Sequence, residues 1–155
     1  MFDLYEEFKS IVSALEEHGI DYAVCGGLAM AVHGLPRATV DIDLLIPAER
    51  LEDAKSVVRS LGYTIEAQPM TFSKGAVEIR RLSRIDPTDG DLLMIDFLLV
   101  TPAVADVWNN RIRVASDKGS VSVVSREGLI ILKSFRRSGQ DLDDIERLKG
   151  SHDES

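Results

Sequence analysis

Two aspartates, Asp41 and Asp43, stand one isoleucine apart in TVDIDLLI, a run that otherwise reads as a buried β-strand. Side chains alternate along a strand, so the two carboxylates share a face while Val40, Ile42 and Leu44 take the other. Two residues of strand rise separate them by roughly 6.6 Å, which lets both converge on ions lying between and above them. A half-exposed strand with its polar face in water would carry the same pattern. Asp96 shifts the balance. It lies in LLMIDFLLV, apolar on both sides, where an aspartate is costly unless it is paired, hydrogen-bonded or bound to metal. Three carboxylates brought together on adjacent strands would repel one another unless cations neutralised them. Hard oxygen donors of this kind suit Mg²⁺, which keeps several waters and completes its shell with substrate phosphates.

Upstream, CGGLA places Gly26 and Gly27 between a short strand and a helix. A glycine pair there lets backbone approach a ligand closely, and a helix start offers free N–H groups to phosphate. A simple tight turn accounts for the same two residues. Taken with the carboxylates, the pair forms one device for phosphoryl or nucleotidyl transfer, in which metal ions activate the attacking oxygen and stabilise the leaving one. Neither G-x-x-x-x-G-K-[ST] nor G-x-G-x-x-G occurs, so the chain is neither a P-loop protein nor a dinucleotide-binding one.

The elements that must position these groups follow from periodicity. Phe2, Leu4, Tyr5, Phe8, Ile11, Val12 and Leu15 fall near helical spacing, and Gly19 suits the end of that helix. DYAVCG is a short strand and LAMAVHG a short helix closed by Gly34. TVDIDLLI is a strand ended by Pro47, and AERLEDAKSVVRSLG an amphipathic helix. Strands are expected at 63–66, 76–81 and 92–100. A short helix at PAVADVWNN, a hairpin turning at SDKGS and two C-terminal helices complete the chain, the first beginning near Ser125 and the second at DLDDIERLK. Helices alternating with strands predict an α/β or α+β sheet with helices on its faces. Residues 1–150 read as one domain and 151–155 as a disordered tail.

Composition narrows the function classes. Hydrophobic residues make up 45% and charged residues 28%, the balance of a folded soluble protein. No run has the apolar length of a membrane span, the acidic N-terminus is no secretory signal, and a lone cysteine fits a reducing compartment, so the cytoplasm is expected. The net charge of −8 argues against a protein that works by gripping nucleic-acid backbones. Basic residues do gather in RRLSR and KSFRR, which leaves room for one positive patch.

The ordered set Cys25-Gly26-Gly27, a spacer from Leu28 to Val40, Asp41-Ile42-Asp43-Leu44 and later Ile95-Asp96-Phe97 resembles the polymerase-beta-like nucleotidyltransferase superfamily. The fuller form, with His33-Gly34, Arg37 and Thr39 leading into the aspartates, resembles its small prokaryotic branch, which includes nucleotidyltransferase-type toxins of toxin–antitoxin systems. REGLIILKSFRRSGQDLDDIERL is similar to that branch's helical end, where a lysine precedes an aspartate; Lys133 and Asp141 occupy those positions. The resemblance implies a mixed β-sheet flanked by helices with a short helical C-terminus. It implies Mg²⁺ or Mn²⁺ dependence and transfer of a nucleoside monophosphate from an NTP to a hydroxyl or phosphate on a small molecule, an RNA end or a protein. Many relatives carry a further helical domain for the acceptor, whereas two short helices follow the hairpin here. A non-catalytic nucleotide-binding or partner-docking module, and a toxin acting on tRNA with an antitoxin as partner, are the alternatives.

The resemblance also assigns roles, each beside a plainer account. Asp41 and Asp43 would hold both metals; Asp96 would hold one and help take the acceptor proton. Gly26 and Gly27 would sit against the triphosphate. Arg37 would pair a phosphate oxygen or be a surface arginine after Pro36, and Thr39 would bond a phosphate or merely favour the strand. Lys133 would reach the triphosphate, against the ordinary case of an exposed helix lysine. Asp141 would orient Lys133 or, the favoured account, cap the last helix. His18 is expected to face the carbonyls closing the first helix, and His33 to be structural. With His152 in the tail, no histidine has zinc-ligand spacing. Cys25 reads as a small buried hydrophobe, and Trp108 as core.

Overall fold

The computed structural model of the chain describes residues 2–35, 41–116, 119–136 and 139–153. Its first helix, α1 (Leu4–Glu17), starts where Asp3 accepts from the Tyr5 and Glu6 amides and stops before Gly19, at φ +67°. Its apolar stripe, Phe8, Ile11, Val12 and Leu15, is buried as the spacing predicts. His18 closes the helix as expected, with Nδ1 2.8 Å from the Ala14 carbonyl oxygen. Then come β1 (Ala23–Cys25), α2 (Gly26–Val32), β2 (Asp41–Ile46), α3 (Leu51–Ser60), β3 (Ile65–Glu66), β4 (Met70–Phe72), β5 (Val77–Ile85) and β6 (Leu92–Leu99). They are followed by α4 (Ala105–Asn109), β7 (Ile112–Ser116), β8 (Gly119–Val123), α5 (Arg126–Arg136) and α6 (Gly139–Asp153).

The strands form one mixed sheet in the order β3-β5-β6-β2-β1-β8-β7, with β4 also on β5. β2 and β6 run parallel at its centre, and β1 and β5 flank them antiparallel. The central strands are apolar because both faces are covered. On one face Glu7 of α1 accepts from Arg84 of β5 at 2.7 Å and from the Tyr63 hydroxyl at 2.9 Å. On the other, Leu129 and Leu132 of α5 stand over Val77 and Leu98.

Four expectations change. β5 runs four residues beyond 81, to Ile85, because it pairs with β6 up to Ile85↔Leu92. RRLSR therefore lies inside a strand, and its arginines meet acids: Arg80 with Glu78 at 3.1 Å, Arg81 with Asp96 at 2.7 Å and Arg84 with Glu7 at 2.7 Å. The short strand β4, absent from the periodicity reading, exists by pairing with β5, since Thr71 and Phe72 are exposed and carry no apolar signal of burial. The last helix begins at Gly139 and extends to Asp153, into the expected tail, as no proline interrupts it. Trp108 is only partly buried, with the Arg111 guanidinium 3.9 Å from its ring centre.

Candidate active site

Sheet register builds the site. Cys25 of β1 lies opposite Asp43 of β2, Asp43 beside Asp96 of β6, and Asp96 opposite Arg81 of β5. Residues paired in this way project from the same face, with neighbouring strands about 4.8 Å apart. One transverse row thus reads thiol, carboxylate, carboxylate, guanidinium. Asp41, two residues before Asp43, shares that face at the N-terminal end of β2.

Gly26 closes the row against the backbone. It has φ +67°, and a Cβ placed on it would fall 1.9 Å from Asp43 Oδ2. Glycine is therefore required twice over, once by conformation and once by the carboxylate pressed against it. Gly27 is buried at the start of α2.

Burial first, and then the charges of Asp96 and Asp41, push the Asp43 carboxyl up to about 7, while Arg136 and Lys133 pull it the other way. Asp96 is 5% exposed, and both its oxygens are held by Arg81, Nε donating to Oδ1 at 2.7 Å and Nη2 to Oδ2 at 2.9 Å. Burial likewise raises the Cys25 thiol, which is fully enclosed as expected.

Above the row stand the two C-terminal helices. Lys133, with Arg136 and Asp141, lines the small cavity that also touches Cys25, Gly26 and Asp43. Lys133 is buried rather than an exposed helix lysine, since its ammonium lies 2.9 Å from Asp144 and 4.0 Å from Asp141. Asp141 falls inside α6, two residues after its first residue, rather than ahead of it. It stands in the helix's first turn, 3.8 Å from Arg136, where a carboxylate also suits the positive end of the dipole.

Sequence reasoning passed over Arg81, Asp144 and Arg136, the last seen only as part of the basic run KSFRR. Arg81 carried only the signal of a basic cluster, and Asp144 that of an acidic helix start. Both acquire partners through pairing and packing. His33 is structural as expected, its Nε2 2.8 Å from the Val124 carbonyl oxygen. Arg37 and Thr39 lie outside the described residues.

Asp41, Asp43 and Asp96 are hard oxygen donors on one face, the chemistry a divalent ion would take, and the charges of Asp96 and Asp41 raise the Asp43 pKa. As the side chains stand, no three carboxylate, imidazole or thiol groups among the described residues are gathered into a cage. Asp96 is instead paired with Arg81.

This mixed sheet, with its acidic row beside a glycine bend, is the nucleotidyltransferase fold. The Thermotoga maritima protein TM1012 superposes with a TM-score of 0.61 at 16% identity, over 98% of this chain and 94% of that one. The antibiotic-resistance factor ANT(2″)-Ia, solved with adenylyl-2″-tobramycin, gives 0.65 at 16% identity over 94% and 87%. The lincosamide antibiotic adenylyltransferase LnuA, solved with lincomycin bound, gives 0.61 at 17% identity over 93% and 95%. Among curated proteins none matches in sequence. The family described as uncharacterised nucleotidyltransferases matches residues 2–131, and the chain belongs to it. It is an enzyme of the nucleotidyltransferase type, a class that transfers a nucleoside monophosphate. Among the described residues no helix is long and apolar enough to cross a membrane.

Proposed function

We propose that the chain transfers a nucleoside monophosphate from an NTP to a hydroxyl of a small molecule, using Mg²⁺ or Mn²⁺ held by Asp41, Asp43 and Asp96. The observation that carries this reading is the register that sets Asp43 beside Asp96, with Gly26 against Asp43. A divalent ion there would neutralise the triphosphate and make the acceptor hydroxyl a better nucleophile. The chain's own groups do the rest. Gly26, lacking a side chain, lets the Asp43 carboxylate lie against the turn into α2, and Gly26 and Gly27 are proposed to sit against the triphosphate there. Lys133 and Arg136 supply positive charge across the cavity from the carboxylates. Asp96 is the group to accept the acceptor proton. Arg37 and Thr39 are proposed as phosphate contacts on their sequence positions alone.

A small acceptor is favoured over RNA for two reasons. The net charge of −8 repels polyanions. ANT(2″)-Ia and LnuA, matched over 87% and 95% of their lengths, were solved with small molecules bound.

The test is incubation with each α-phosphate-labelled NTP, Mg²⁺ or Mn²⁺, and either a panel of hydroxylated small molecules or a tRNA pool. Label should pass to a small molecule, vanish with chelator and fall at least about a hundredfold in D41N and D43N, the scale of a lost metal ligand. Transfer to tRNA alone would replace the acceptor class. Transfer indifferent to D43N would remove the metal assignment.

A further inference from the structure

Arg81 makes the most specific contact in the acidic row. Its fork donates to both oxygens of Asp96, at 2.7 and 2.9 Å, and Asp96 is buried. A side-on fork covers the syn lone pair of each carboxylate oxygen, the same electrons a cation would draw on. The guanidinium also lies within the fields of Asp41 and Asp43, so it already neutralises part of the charge that would attract a metal.

We propose that Arg81 is a latch on Asp96: its guanidinium and a divalent cation compete for one carboxylate, and Asp96 joins Asp41 and Asp43 around metal only when Arg81 lets go. The inference rests on the reading of those three aspartates as metal ligands. An incoming metal–nucleotide complex brings both halves of the exchange, a cation for Asp96 and phosphate oxygens that match the released fork. The protein alone would then hold metal weakly, and nucleotide would bring metal in with it. Arg81 is a positioning residue, acting through Asp96.

The experiment is a Mn²⁺ titration followed by electron paramagnetic resonance on the full chain without nucleotide, with circular dichroism to check folding. R81Q is expected to bind Mn²⁺ about tenfold or more tighter than the wild type, the factor a charge-assisted hydrogen bond is worth. R81K, which keeps the charge but loses the fork, should show a smaller gain, and R81Q combined with D96N should lose the gain. Structural damage would weaken binding, so a gain is diagnostic. If R81Q binds Mn²⁺ no better than the wild type while D43N still weakens it, the latch is wrong and the metal site stands. If D43N leaves Mn²⁺ binding unchanged in both backgrounds, the metal reading falls and the latch with it. Should R81Q fail to fold, R81K decides: tighter binding supports the latch, and unchanged binding overturns it.

Discussion

Gly26 shows how much one missing Cβ can do. It combines a left-handed backbone with contact distance to Asp43, while Gly34, at φ +80°, has nothing within 4 Å of an added Cβ. Alanine at either position should cost about 1–2 kcal/mol from the left-handed conformation. G26A should in addition displace Asp43 and depress transfer, whereas G34A should keep its kcat. Urea denaturation and single-turnover transfer separate the two effects. The glycine pair and the D-x-D were legible because their residue types are unusual where they occur. That Gly26 touches Asp43 was not, since the contact depends on the pairing of Cys25 with Asp43.

At the scale of elements, α5 and α6 matter through charges they hide. Lys133 and Asp144 form a buried pair, and Asp144 has no exposed surface. D144A should therefore destabilise by about 3–5 kcal/mol, because it strands a buried ammonium. The double variant K133M/D144L should recover most of that loss in thermal melts but bind NTP no better than K133M alone, which would separate the pair's structural part from its nucleotide-binding part. Recovery of NTP binding in the double variant would remove Lys133 from the site. Helical periodicity in 126–149 announced two helices but not which acid would meet Lys133. Asp141, Asp143 and Asp144 lie within one turn of α6, and only the packing of α6 on α5 selects Asp144 as the near partner.

For the whole molecule, the net charge of −8 and the internal pairing of the basic residues point the same way. Among the described residues of RRLSR and KSFRR, Arg80, Arg81, Arg84, Lys133 and Arg136 each lie beside an acid of this chain, which offsets much of their positive charge. A tRNA pool should accordingly show no saturable binding at physiological salt, by filter retention, and should not inhibit transfer to a small acceptor. Saturable retention there would reopen RNA as the acceptor. The helices, every strand but β4, the fold class and the acidic and glycine positions could be read from the chain alone, because these are written in local periodicity and in residues costly to bury. That Cys25, Asp43, Asp96 and Arg81 form one row, that Asp96 is held by Arg81, and that Lys133 is buried against Asp144 emerges from the folded chain. The physical reason is that register and helix packing join residues far apart in the chain. A strand's own sequence says which face a side chain takes, but not which neighbour it meets.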